Sequence, residues 1–291
     1  MNCKVCGSEH RKLQNELFFE RKIFTCKDCG LQYLDPQLND EELKKLYAEN
    51  YYRAWGVSGT SENQITRQMK RATFQLRLAS INQFVRSGKV LDVGCATGYF
   101  LEVAKEEGFE PFGVEFSAYS AQIAKKIFGD DSIFCGTLEQ CDFPDLMFDV
   151  IAMSDLIEHV KDPHVTLTKA SQLLKNDGVI MIMTPNTNTL SHKLMGKRWT
   201  HYKLEHFYYF NLSSLRILAE KCGLEVVYFE KSKKAMNIEY LYTQFRVYKH
   251  WLFTPLFSFL HKILPEKICS KNLYLSLGEM VLILKKKDSE K

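Results

Sequence analysis

This 291-residue chain has no uninterrupted apolar run long enough to span a bilayer, which excludes a helical membrane span. The opening Met1-Asn2-Cys3-Lys4-Val5-Cys6 does not read as a secretory pattern, and the expectation is a cytoplasmic protein. It also lacks a strong charge of one sign. Lys and Arg number 39 against 35 Asp and Glu, a formal net charge of +4. That argues against a dedicated nucleic-acid binder, whose basic face is dense. What remains is an ordinary globular composition, 45% hydrophobic and 25% charged, enough for one large domain and a small one. Nine cysteines, an odd count without a leader, fit reduced thiols better than a disulfide framework.

Four of those cysteines are patterned. Cys3-x-x-Cys6 and Cys26-x-x-Cys29 form two knuckles around a segment in which 17–20 and 22–25 read as a hairpin. Gly7 and Gly30 each follow a second cysteine, where a knuckle turn needs positive φ. Four thiolates at this spacing suit tetrahedral zinc, and a segment this small gains its stability from metal. A redox C-x-x-C is the competing reading, but neither pair opens a helix after a strand. With all four positions supplied by protein, the zinc is structural.

Residues 40–50 then read as a short helix, followed by Tyr51-Tyr52, and 61–85 as a longer one with Phe74, Leu78 and Ile81 on one face. Beyond Gly88 strand and helix patterns alternate, as in a doubly wound parallel sheet. The first strand runs Val90-Leu91-Asp92-Val93 into Gly94-Cys95-Ala96-Thr97-Gly98, with a helical pattern over 99–107. Gly94 and Gly98 let the backbone turn sharply and approach a ligand closely. The second strand, Phe112-Gly113-Val114-Glu115, ends in an acid placed to accept hydrogen bonds from two ribose hydroxyls. This is how an α/β sheet presents a nucleoside-bearing cofactor at the carboxyl ends of its strands. The dinucleotide fingerprint G-x-G-x-x-G is absent, because Ala96 stands at its second glycine.

The stretch from Asp92 to Gly98 resembles motif I of the class I S-adenosylmethionine (SAM)-dependent methyltransferases, D-x-G-x-G-x-G, with Ala96 at the middle glycine. Glu115 resembles the acid that ends their second strand. The resemblance implies a Rossmann-like α/β fold with a doubly wound, mostly parallel seven-stranded sheet, and SAM as methyl donor. It implies cofactor contacts from Asp92 near the methionine amino group and from the turn at Gly94, Cys95 and Gly98. Glu115 and the following Phe116 would meet the ribose side, Thr137 and Leu138 the adenine, and Ser154 (with Met153 and Asp155) the methionine part. The other strands fall at 132–136, 148–154, 178–184, 224–229 and 280–284, and helices at 117–128, 165–174 and 212–222. The chain thus divides into a zinc ribbon (1–35), a helical lead-in or lid (36–87), a core (88–235 and 277–287) and an amphipathic helical insertion (236–276).

The acceptor side is read from a polar, aromatic stretch over 192–208. Glu205-His206-Phe207-x-x-Phe210 resembles the E-H-x-x-x-F segment of bacterial small-molecule and sugar methyltransferases, some with a zinc ribbon in front. That resemblance implies His206 as general base with Glu205 beside it; the alternative is that both only anchor the loop. Asp155-x-x-Glu158-His159 resembles the E-x-x-E-H segment that holds a divalent ion in ubiquinone-biosynthesis O-methyltransferases, which implies Mg²⁺ at Asp155, Glu158 and His159. An E-H-V followed by Asp-Pro also occurs in metal-independent methyltransferases. In the insertion Pro255 divides an aromatic, basic run into two helical pieces. The run at 243–264 reads as a cap or dimer contact, or as peripheral contact with the inner membrane face. The first functional reading is methylation of a small-molecule acceptor, a sugar or sugar-nucleotide hydroxyl, with a quinone or lipid-like phenol second. An rRNA base is disfavoured by the low charge and by the absence of an Asn-Pro-Pro-Tyr-type motif after strand four. A non-enzymatic SAM-binding module is the reading outside catalysis. Oligomeric state stays open.

Overall fold

The computed structural model describes residues 2–16, 21–46, 64–247, 251 and 253–287. Its N-terminal sheet starts with β1 (Arg11–Glu16), β2 (Lys22–Cys26) and β3 (Gln32–Asp35), all antiparallel. The register runs from Arg11 opposite Cys26 to Glu16 opposite Lys22. The hairpin's first strand is the polar RKLQNE run, and the strand expected at 17–20 lies outside the described residues. Lys27 N donates to His10 O at 2.9 Å at the knuckle end of the pairing.

Helix α1 (Asp40–Leu46) opens with a reciprocal cap. Asn39 Oδ1 accepts from Glu42 N at 2.9 Å, and Glu42 Oε2 accepts from Asn39 N at 2.8 Å. The expected extension to residue 50, the pair Tyr51-Tyr52 and the helix start at 61 fall outside the described residues. Helix α2 covers Gln64–Ile81.

The core sheet has seven strands: β4 (Gly88–Val93), β5 (Phe109–Glu115), β6 (Ile133–Cys135), β7 (Phe148–Ser154), β8 (Leu174–Pro185), β10 (Leu224–Lys231) and β13 (Glu279–Lys286). Their spatial order is β10-β13-β8-β7-β4-β5-β6. All neighbours are parallel except β13, which runs antiparallel to both β8 and β10. The central strands are apolar on both faces because helices cover both. Those helices include α3 (Tyr99–Glu106), α4 (Ala118–Phe128), α5 (Pro163–Leu173) and α7 (Leu212–Lys221), with a short α6 (Leu190–Met195) after β8. Helix α5 starts two residues ahead of expectation, since Asp162 caps it and Pro163 fits the first turn. The chain runs outward from β4 to β6 and then returns to β7, so the carboxyl ends of β4 and β7 form the crevice where α/β sheets bind ligands.

Two features were not anticipated. A short strand β9 (Tyr208–Tyr209), downstream of α6, adds to β3 of the ribbon. The ribbon's Cys3, Val5, Leu31, Tyr33 and Leu34 consequently share one apolar core with Phe207–Phe210 and with Leu215 and Leu218 of α7. The insertion is also not wholly helical. Strands β11 (Lys234–Met236) and β12 (Leu273–Leu275) pair at its base and bracket α8 (Ile238–Val247), α9 (Phe253–Ile263) and α10 (Glu266–Cys269). Pro255 sits inside the first turn of α9 rather than between two helices, because its missing N–H would have had no partner there.

Candidate cofactor and acceptor site

The turn after β4 is left-handed at three alternate residues, Gly94 (φ 80°), Ala96 (φ 47°) and Gly98 (φ 91°). At Ala96 that conformation costs about 1 kcal/mol. Its N–H is in turn held by Glu115 Oε2 at 2.9 Å, while Glu115 Oε1 accepts from Ser117 N at 2.7 Å. The acid that ends β5 is thus buried and locked by the backbone on either side of the crevice. Gly98 is needed twice over, since an added Cβ would meet the Phe128 ring at 2.3 Å.

A cavity of about 700 Å³ occupies this crevice. Of the expected cofactor residues, Gly94, Glu115, Phe116, Thr137 and Leu138 line it. Asp92, Cys95, Gly98 and Ser154 do not and lie behind its wall. Asp92 and Cys95 are buried, and the Cys95 thiol packs against Gly113, where a Cβ would come within 2.6 Å of it. The Ser154 hydroxyl is buried with no hydrogen-bond partner among the described residues. Sequence reasoning missed Leu43 of α1, Gln140, and the Lys161 and Thr166 flanks of α5. Gln140 had a legible signal, because Thr-x-x-Gln is a capping box and Thr137 N donates to Gln140 Oε1 at 3.1 Å.

Burial, reinforced by the nearby Glu115 charge, raises the Asp92 carboxyl from 3.8 to about 8. The ligand-free fold therefore keeps a proton here that the unfolded chain releases above about pH 4. The stabilisation is complete below that pH and is lost as pH rises through about 8. The melting temperature should fall between about pH 4 and 8, the window between the two values. Asp92→Asn should flatten that decline, and an unchanged slope in calorimetry would refute the assignment.

At the other end of the cavity, the three residues expected to share a metal are parted. The backbone of Asp155 is left-handed (φ 53°), and its carboxylate faces Lys234 Nζ at 3.5 Å, which pairs with Glu279 at 2.8 Å. Asp155 pairs with Lys234, and the group that comes together holds His206 instead: ligand atoms of Glu158, His159 and His206 all lie within 4.8 Å of one another. Glu158 is fully buried. Thr184 Oγ1 donates to its Oε2 at 2.9 Å, and its Oε1 has no partner among the described residues. Burial and the Asp155 charge raise its carboxyl to about 8. Burial lowers His159 to about 4, against the opposing Asp155 charge and a backbone bond at Glu205. The His206 ring meets His159 edge-on at 4.6 Å. It is buried and neutral, and its Nδ1 has no partner among the described residues. His159 lines the cavity; Glu205 and His206 do not. Trp199, His192, Tyr202 and Tyr209 pack as a ring cluster outside that lining.

The four knuckle cysteines converge as their spacing predicts. Cys3 and Cys29 Sγ are 3.5 Å apart, as are Cys6 and Cys26, and all four lie within 4.8 Å of one another. A tetrahedron with Zn–S of about 2.3 Å has edges of about 3.8 Å, so the donor set fits zinc. Gly7 and Gly30 have φ 85° and 74°. Gly30 also lets the acceptor-side loop approach: Asn211 Nδ2 donates to its carbonyl at 3.0 Å, and an added Cβ would meet that nitrogen at 2.8 Å.

A doubly wound sheet with a glycine turn facing a clamped acid defines a nucleoside-cofactor-binding α/β domain. The family described as a methyltransferase domain matches residues 61–228, and the chain belongs to it. Among curated proteins it is 31% identical over 133 residues to a ubiquinone biosynthesis O-methyltransferase of Rhodopseudomonas palustris (strain HaA2), covering 41% of this chain and 52% of that one. The chain spans about half the length of the curated relatives it matches. Among solved structures it aligns with 1,6-didemethyltoxoflavin-N1-methyltransferase of Burkholderia thailandensis, crystallised with S-adenosylhomocysteine. The TM-score is 0.55 and identity 13%, covering 93% of this chain and 97% of the other. It also aligns with the [4+2]-cyclase SpnF (TM-score 0.54, identity 16%, 86% and 98% covered). At such identities these likenesses establish the fold alone.

Proposed function

We propose that this chain moves the methyl group of SAM to the hydroxyl of a small molecule, with a phenol favoured over a sugar. The observation that carries the donor is Glu115, fixed by two backbone N–H groups at the cavity wall below a left-handed glycine turn. A carboxylate at this place suits the two ribose hydroxyls as an acceptor, and Leu138 beside Thr137 suits the adenine face. Family membership and the O-methyltransferase relatives support the same reading.

In the proposed step the acceptor oxygen attacks the methyl carbon in line, the C–S bond breaks, and the hydroxyl proton passes to His159. Burial keeps that imidazole neutral. As a weak base it suits a phenol, the more acidic hydroxyl, better than an aliphatic sugar hydroxyl. The curated relatives named for ubiquinone biosynthesis point the same way. A divalent ion is a second reading, favoured by the lone oxygen of Glu158 and the lone nitrogen of His206. Glu158, His159 and His206 would hold it, and it would acidify the acceptor hydroxyl. The ribbon cysteines are read as a structural zinc site, and the protein as cytoplasmic.

His159→Ala should lower kcat by about 100-fold with the SAM dissociation constant unchanged. The assay is S-adenosylhomocysteine release with a catechol, a sugar nucleotide and ribosomal RNA in parallel. Undiminished turnover by the variant would remove His159 from the chemistry. Turnover of the sugar nucleotide or RNA alone would overturn the phenolic acceptor. A second equivalent of bound metal, lost in the variant, would favour the ion.

A further inference from the structure

Helices α8 and α9 pack as a hairpin, and their contacts use up one side of α9. Phe245 stacks on Phe257 at 5.4 Å and touches Phe253 at 5.2 Å. His261 lies flat on Tyr242 at 4.0 Å and meets Glu239 Oε2 at 2.6 Å. The opposite side carries Leu256, Phe259 and Ile263, spaced by three and four so that they form one stripe. Phe259 is 60% exposed and Ile263 54%, and Trp251 just ahead of the helix is 82% exposed. No residue of α9 is buried. Along the chain, Ile268, Leu273 and Leu275 are exposed as well.

The charge around this stripe is mostly positive, with exposed Glu266 as the one unengaged acid of the segment among the described residues. Helix α9 has no acidic residue, and exposed Lys262, Lys267 and Lys271 punctuate the apolar positions. From 236 to 276 there are five Lys or Arg against two Asp or Glu, and one of those acids, Glu239, is engaged by His261. An exposed apolar face of this kind marks an interaction surface. An apolar stripe with a basic border and a tryptophan at its end matches the interface of an anionic bilayer. No described helix is long and apolar enough to cross a membrane, so the contact would lie flat.

We propose that the α8–α9 hairpin seats this protein on an anionic lipid surface, with Trp251, Phe259 and Ile263 entering the headgroup layer and the three lysines facing phosphates. The test is flotation of the full metal-loaded chain with phosphatidylcholine vesicles, with and without roughly 30% phosphatidylglycerol. The protein should float with the anionic vesicles, less in high salt, and little with the neutral ones. Phe259→Glu combined with Ile263→Glu should weaken binding by about tenfold or more while leaving the SAM dissociation constant unchanged. Failure of the wild type to float with anionic vesicles overturns the proposal. So does equal flotation of the folded double variant. A dimer in light scattering that the double variant splits, without flotation, would give this face to a second copy of the chain instead.

Discussion

Stripping the metal from the Cys3, Cys6, Cys26 and Cys29 site should abolish acceptor turnover, by about 100-fold or more, while SAM affinity stays within about twofold. The reason is where the ribbon's bonds go. Strand β3 pairs with β9 through Gln32 opposite Tyr209 and Tyr33 opposite Tyr208. Leu34 N donates to Phe207 O at 2.9 Å, Tyr202 Oη donates to Gln32 Oε1 at 2.7 Å, and Asn211 is tied to Gly30. These bonds hold both ends of the segment that carries His206 against His159. The cofactor wall is built from β4, β5 and the turns after β6 and β7, none of which hydrogen-bonds β3. Without metal a ribbon this small loses its fold, the 199–211 segment loses its clamp, and a misplacement of about 1 Å at the acceptor is worth about 100-fold in rate. Cys29→Ser should act the same way. Hydrogen exchange should speed up over 199–211 and remain slow in β4 and β5. Equal turnover by metal-free and metal-loaded protein would sink this coupling.

Glu115→Ala should raise the SAM dissociation constant by about 100-fold or more. Two hydrogen bonds from ribose hydroxyls to a carboxylate are worth about 1.5–3 kcal/mol each. The substitution also strips the N–H groups of Ala96 and Ser117 of their acceptor, so the turn at φ 47° loses what holds it. Glu115→Gln keeps one acceptor oxygen and turns an NH₂ toward one of those N–H groups, so its loss should be intermediate. Titration calorimetry decides the matter, and SAM binding by Glu115→Ala within about threefold of wild type would refute the ribose assignment.

The cofactor half of the site was legible wherever it is local. Gly94 and Gly98 announce their left-handed backbone, and Glu115 ends the short strand Phe112-Gly113-Val114. Thr137 and Leu138 follow from the resemblance, which sets the adenine against the turn after the third strand, and both line the cavity. Asp92 and Ser154 enter the expected cofactor set through the resemblance; neither lines the cavity, Asp92 being buried and the Ser154 hydroxyl buried without a partner among the described residues. On the acceptor side, the resemblance implied that Asp155 would join Glu158 and His159. Lys234, nearly eighty residues away, takes Asp155, and the loop after β8 delivers His206 instead.

By itself the sequence determined the knuckles, the seven strands of the core and the clamped acid, because each rests on short-range periodicity, a required backbone angle or a metal-ligand spacing. Only the tertiary structure decided that His159, not His206, faces the cavity, and that the ribbon shares a core with the segment after His206 rather than standing as an appendage. Both depend on pairings across more than a hundred residues, such as Tyr33 with Tyr208, where two residues of β9 leave no periodic signal to read.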